Sequence, residues 1–201
     1  MRIGRQALAV LALSAAAVQA AAAGTPQYVA RSAGPWGASV SLPSAWHVVV
    51  IPVTVTPAFL ARAGRENPAF RGTLPGAIQV GVKLFAYEPP AAGRFASNLN
   101  LIVEALPPGV SLRAWLFQGA SAAFKHVGTT TTVRIGGLAG IRYVSTKAVT
   151  SGAQALLTEE FAFARGNRVY LFTFTSPASA AAVYRPIFER SAASIRFRPT
   201  A

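Results

Sequence analysis

The sequence predicts an α+β chain arranged as an α/β/α sandwich with a central, mainly antiparallel sheet. Three observations carry that expectation. Arg165-Gly-Asn-Arg168 separates two strand-forming runs, and glycine and asparagine tolerate the positive φ of a tight hairpin turn. In the second of those runs Tyr170, Phe172 and Phe174 point one way while Val169 and Leu171 point the other. A strand apolar on both sides needs cover on both sides. The third observation is a helical stripe: Leu112, Trp115, Leu116, Gly119, Ala120, Ala123 and Phe124 recur at helical spacing behind Ser111, a good N-cap.

In chain order, Met1 to Ala23 has the form of a secretory signal. Arg2 and Arg5 precede an apolar run from Ala7 to Val18, and small-x-small patterns allow cleavage after Ala20 or Ala23. The expected mature chain, 24–201, suits one domain. An alternating stretch, Gly37 to Leu42, meets a turn at Pro43-Ser-Ala and then the β-branched run Trp46 to Ile51. Thr56-Pro57 is an N-cap with proline at the first helical position, so a short helix starts at Ala58 and breaks near Gly64. The broken periodicity of 62–76 predicts a loop-rich insertion. Strands follow at Ile78–Tyr87 and Leu99–Glu104, then the helix begun at Ser111. Beyond His126 come strands at about 127–135, 141–149, 156–164 and 168–175, and a last helix at about 179–194. That helix carries Val183, Ile187, Phe188, Ser191 and Ile195 on one face, with Pro186 set to kink it or reset its start.

Gly136-Gly137-Leu-Ala-Gly140 has the glycine density of a phosphate-cradling loop. Such a loop opens a helix, where converging N–H groups and the helix dipole meet the anion. Here a strand follows, and no Lys-Ser or Lys-Thr pair closes the loop. The glycines serve a hairpin turn.

Composition excludes several kinds of chemistry. With no cysteine there is no disulfide and no acceptor for a bacterial lipid anchor, and two histidines leave few soft metal ligands. His47 lies in a strand, and His126 follows a helix end where the dipole alone favours it. Ser121 sits inside a helix rather than on the strand-to-helix turn a nucleophile elbow needs. Glu159 and Glu160 are neighbours in a strand and face opposite ways, so they cannot pair as acid and base. No catalytic, metal or cofactor site is expected.

The charge is the strongest functional signal. Nineteen basic residues oppose six glutamates, a net charge of +13, and losing Arg2 and Arg5 with the leader leaves 17 − 6 = +11. A field of that sign draws anionic surfaces, more weakly as salt rises. Arg134, Arg142, Arg165 and Arg168 flank the two hairpin turns and form the candidate basic surface. Aromatics are not interleaved with them, so specific nucleic-acid binding is not expected.

The order of short motifs adds a resemblance. Ser41-Leu-Pro-Ser-Ala-Trp46, Glu66-Asn-Pro68, Phe85-Ala-Tyr87 and Phe95-Ala-Ser-Asn-Leu-Asn100 come first. Gly137-Leu-Ala-Gly-Ile-Arg142, Val169-Tyr-Leu-Phe-Thr-Phe-Thr-Ser176 and Ser194-Ile-Arg-Phe197 follow. The series resembles the PsbP-like superfamily, most closely its actinobacterial secreted LpqN-type branch, over nearly all the mature chain. The resemblance implies an α/β/α sandwich and a mostly non-catalytic role, with no shared site residues to carry over. The chain departs from that branch in lacking the lipid-anchoring cysteine. The resulting expectation is a secreted, non-enzymatic binding module of the bacterial cell envelope, without cofactor or later transmembrane segment, whose partner is an envelope protein or an anionic polymer or lipid surface. The alternative is a carrier of a small apolar ligand or lipid, built on the aromatics of 169–175 and the stripe of 111–124.

Overall fold

The computed structural model describes residues 26–68, 71–89, 95–120, 128–148 and 155–198. The signal segment, Ser121, Ala123, Phe124 and His126 lie outside them. Ten strands and four α-helices follow one another: β1 (Tyr28–Ser32), β2 (Ala38–Pro43), β3 (His47–Val50), α1 (Pro57–Glu66), α2 (Leu74–Gln79), β4 (Val82–Tyr87), β5 (Asn98–Ala105), α3 (Leu112–Ala120), β6 (Gly128–Ile135), β7 (Leu138–Ala148), β8 (Ala155–Arg165), β9 (Arg168–Pro177), α4 (Ala181–Ala193) and β10 (Arg196–Phe197). Seven of these strands form an antiparallel sheet in the order β3-β4-β5-β9-β8-β7-β6. A second, three-stranded sheet has the order β1-β2-β10.

The α+β sandwich expected from the sequence is therefore present. The runs 37–42 and 46–51 do bracket a tight turn, closed by the Trp46 N–H on the Pro43 carbonyl at 3.0 Å. They nevertheless join different sheets, because β2 takes β1 as its partner and β3 takes β4.

Each face of the large sheet has its own core. On one face Leu99, Leu101, Phe161, Phe163, Phe172 and Phe174 pack beneath α4 and the small sheet, joined by Phe188, Ile195, Val40 and Leu42. The rings meet edge-on or tilted, with Phe174 and Phe188 centroids 5.1 Å apart and Phe163 and Phe197 5.3 Å apart. Fully burying one such ring contributes about 1.5–3 kcal/mol. On the other face Ile102, Ala162, Val169 and Leu171 meet Trp115 and Leu116 of α3 and Ala63, Leu74 and Ala77 of α1 and α2. The aromatics of 169–175 are thus packed side chains of the sandwich interior.

Helix starts follow the sequence where a cap exists. Thr56 Oγ1 accepts the Phe59 N–H at 3.1 Å with Pro57 behind it, and Ser111 Oγ accepts the Ala114 N–H at 3.1 Å. Such a cap contributes about 1 kcal/mol. The stretch 62–76 is not the loop-rich insertion its pattern suggests. The helix runs on through Gly64 to Glu66, and α2 starts at Leu74. Gly64 acts here as a seat rather than a break: an added Cβ would lie 3.1 Å from Arg71 Cγ, and Arg71 Nε donates to the Gly64 carbonyl at 3.2 Å. Residues 78–81 belong to α2 and the turn after it, so the strand expected from Ile78 begins at Val82; Gly81, at φ 87°, makes the change of direction.

The last helix starts at Ala181, two residues later than expected, behind a single 3-10 turn. Phe188, Ser191 and Ile195 are buried as predicted, but Val183 is 54% exposed and lies off the apolar stripe. Pro186 sits inside the helix with Ala182, four residues before it, also exposed, so water can take the carbonyl whose partner proline removes. At the helix end Ser194 Oγ accepts the Ser41 N–H at 2.7 Å and donates to the Ser191 carbonyl at 2.6 Å, which fastens α4 to β2.

Candidate functional site

The glycine stretch is a hairpin, as its sequence context requires. Ile135 pairs with Leu138, leaving Gly136 and Gly137 as the turn at φ 58° and 81°. Two consecutive positive φ values match the right-handed twist of the flanking strands, which is why glycine pairs are favoured there. Gly140 serves differently. It sits in β7, where a Cβ would come within 2.6 Å of the Ala162 carbonyl oxygen and the Phe163 ring.

The β8–β9 turn at Gly166-Asn167 lies at the same end of the sheet. Gly140 pairs with Phe163, two residues from the end of each strand, so the two turns stand side by side at the ordinary strand spacing of about 4.8 Å. The C-terminal strand reaches this end as well. A Cβ on Gly136 would lie 2.7 Å from the Ile195 carbonyl oxygen and 3.5 Å from the Arg196 Cα.

This geometry separates the four arginines read from the sequence. Arg134, Arg165 and Arg168 stand at the shared end, with Arg165 and Arg168 paired across the turn. Arg196 and Arg198, beside that end, extend the group. Their guanidiniums hold neutral acceptors: Arg134 donates to the Gly137 carbonyl at 3.3 Å, Arg196 to the Ile195 carbonyl at 2.8 Å, and Arg198 to Ser32 Oγ at 2.9 Å. No carboxylate pairs with any of the five among the described residues. Lys83 is close by with its Nζ 4.5 Å from the Trp36 ring centre; burial lowers its pKa and Glu104 partly offsets that.

Arg142 does not belong to this surface. It lies further along β7, 26% exposed, with Nη2 2.7 Å and Nε 3.2 Å from Glu159 Oε2. Glu159 is fully buried, and Arg185 of α4 stands 3.8 Å from its other oxygen. Glu189 completes the network 3.2 Å from Arg142. The flanking position of Arg142 in the sequence is real, but strand alternation turns it under α4, toward a buried counter-charge.

His47 is exposed on the edge strand β3 and stacks on Tyr87 at 5.4 Å. Among the described residues no group of three or more His, Cys, Asp or Glu side chains could hold a metal ion, and no helix is long and apolar enough to cross a membrane.

Helices on both faces of a seven-stranded antiparallel sheet, with a small sheet beside α4, invite comparison with known structures. Superposition on the cyanobacterial PsbP (CyanoP) of Synechocystis gives a TM-score of 0.51 at 11% identity, covering 90% of this chain and 98% of that one. This is the PsbP-like fold. LpqN, "involved in cell envelope biogenesis of Mycobacterium tuberculosis", superposes with a TM-score of 0.52 at 10% identity over 88% of this chain and 93% of LpqN. No family model and no curated protein matches the sequence. The resemblance read from the motifs thus holds for the fold, which is what likeness at such identity establishes.

The PsbP-like sheet also carries a feature that the sequence reading passed over. Beyond Ile102, Leu171 and Ala162, the face under α3 turns polar. Asn100, Thr173, Glu160 and Tyr143 lie level across β5, β9, β8 and β7. Two residues further on, Asn98, Thr175, Thr158 and Ser145 form a second such row. Burial pushes Glu160 up to about 7. The Tyr143 hydroxyl is raised first by burial and then by Glu160, while its hydrogen bond to Ser145 works the other way. Gly128 on the edge strand makes room for this tyrosine, since a Cβ there would come 2.6 Å from the ring. The signal for the belt was present as alternation: Asn98-x-Asn100, Tyr143-x-Ser145, Thr158-x-Glu160 and Thr173-x-Thr175 each interrupt an apolar strand with two polar residues on one face.

Proposed function

We propose that this PsbP-like chain is a secreted, non-enzymatic binding module of the bacterial cell envelope that engages an anionic partner, a polymer or lipid surface or an acidic envelope protein, through its arginine-bearing end. One observation carries the reading. Arg134, Arg165, Arg168, Arg196 and Arg198 share one end of the molecule, and no carboxylate among the described residues neutralises them. Side chains already satisfied by carboxylates, as Arg142 is, have little left to offer a partner. The free ones keep their charge for an external anion, on a chain of net charge +13. Export rests on the basic, apolar and small-residue order of the first 23 residues.

The test is binding to vesicles containing an anionic lipid, and to a soluble polyanion, at rising salt. Each arginine near an anionic surface is worth about 1 kcal/mol. Replacing Arg134, Arg165 and Arg168 together by glutamine is therefore expected to weaken binding roughly 100-fold. Arg142→Gln is expected to leave the charge-driven affinity of the folded protein nearly unchanged. Equal losses in both variants would contradict the assignment of the surface to this end.

A further inference from the structure

Glu159 and Glu160 are consecutive in β8, and their surroundings are opposite. Glu159 meets Arg142 and Arg185 under α4. Glu160 points to the other face, and no hydrogen bond or ion pair holds its carboxyl among the described residues. In a chain this rich in arginine, a partly buried acid without a partner among the described residues calls for a physical account.

Its neighbours sharpen the question. Thr173, beside it on β9, is only 5% exposed, and its hydroxyl oxygen has no hydrogen-bond partner among the described residues. Asn100, the next residue across on β5, has its side-chain carbonyl oxygen buried and equally without a partner among the described residues. Buried polar atoms left unpaired cost about 1–3 kcal/mol each and are uncommon in native proteins. Three residues bearing oxygen acceptors thus face the same side at one level of three adjacent strands, with Thr173 in the middle.

We propose that this belt is a binding site for a small ligand carrying a protonated primary amine. An ammonium has three N–H donors and one positive charge. The three acceptors Asn100 Oδ1, Thr173 Oγ1 and the Glu160 carboxylate match the donors, and the single carboxylate matches the charge. A divalent metal fits worse: calcium takes six to eight oxygens, usually from several carboxylates, and only one acid is here. Ser145, Thr158 and Thr175 in the second row offer hydroxyls to a polar substituent on the ligand, while Trp115 and Phe117 of α3 supply an apolar flank, Phe117 lying edge-on to Tyr143 at 5.9 Å. Among the described side chains the other charged or titratable groups around the belt are Tyr143, Tyr87 and His47 on the sheet and Arg113 on α3, whose guanidinium lies over the Phe117 ring at 5.3 Å; Lys147 follows Ser145 two positions further along β7.

The site is independent of the arginine end, so either can fail alone. The experiment is a titration of the full protein with ethanolamine at pH 8 and pH 5.5, followed by amide chemical shifts and thermal unfolding, with ethylene glycol and calcium chloride as comparison solutes. Saturable binding of ethanolamine at pH 8, at least tenfold weaker at pH 5.5, is the expected result. Glu160→Gln should weaken it at least tenfold and Thr173→Val severalfold, while Arg168→Gln should leave it unchanged. Thr173→Val preserves the shape of its site, and so reads the proposal even if Glu160→Gln alters the fold. Three results would overturn the assignment: no saturable shift with ethanolamine, an equal response to ethylene glycol or calcium, or binding unaffected by Glu160→Gln.

Discussion

The two faces of the large sheet are built from the same strands, yet they treat a buried charge in opposite ways. Under α4, Glu159 has two arginines within an otherwise largely aromatic and aliphatic face. Under α3, Glu160 sits among hydroxyls and amides, and no cation pairs with it among the described residues. Glu159 is fully buried and Glu160 partly so, and the two also differ in compensation. The α4 face ties its buried charge to counter-charges, although Ser191 Oγ there has no hydrogen-bond partner among the described residues. The α3 face begins as a core at Val169, Leu171 and Ala162, then changes within two residues into a surface with acceptors to spare. A face whose polar groups are not spent on one another is the one positioned to recognise something else.

Breaking the network on the α4 face should have the largest effect. Arg142→Ala removes the guanidinium closest to a fully buried carboxylate, and losing one partner of a buried pair costs about 3–5 kcal/mol. Arg185, at 3.8 Å, retains part of the compensation, so the lower end is expected from denaturant unfolding at pH 7.

The belt should respond with the opposite sign. A carboxyl raised to about 7 in the folded protein, against an ordinary value of 4.5, favours the folded state fully only below 4.5. That contribution fades as pH rises through this window and is gone above 7. Glu160→Gln is therefore expected to stabilise the protein at pH 8, by up to about 3 kcal/mol, and to change little at pH 4. A destabilised variant at pH 8 would mean that an unseen partner compensates the charge.

Each face also has a glycine under an aromatic ring, which sharpens the contrast. Gly140→Ala drives a methyl into the fully buried Phe163 and the Ala162 backbone, and overpacking of that sort costs about 1–3 kcal/mol. Gly128→Ala meets the buried ring of Tyr143 on the other face, and a loss within the same range of about 1–3 kcal/mol is expected in the same unfolding measurement. Smallest of all, Arg168→Ala at an exposed turn should change stability by no more than about 0.5 kcal/mol while still weakening polyanion binding.

Much of this was legible in the sequence, for identifiable reasons. The Gly136-Gly137 and Gly166-Asn167 turns, the caps at Thr56 and Ser111, and the two-sided cover of β9 follow from local chemistry that tertiary context had no cause to override. Gly64 misled because a helical glycine reads as a break, whereas here it seats Arg71, a contact seven residues away. Arg142 misled because distance from a turn was taken for exposure, and the strand's alternation decided otherwise. The belt lies outside the sequence reading because the apolar character of the α3-facing side of β9 rests on Val169 and Leu171, whereas Thr173 and Thr175 continue the same side. Only the register, which sets those threonines beside Asn100 and Glu160, turns scattered polar residues into one place.

The most direct test of the contrast between the faces is a carboxyl-detected NMR titration of the protein's six glutamates from pH 3 to 9. The account predicts one carboxyl with a midpoint of about 7, absent from the spectrum of Glu160→Gln. If all six titrate in the ordinary glutamate range, or the late one survives that substitution, then Glu160 is compensated and the belt is simply core.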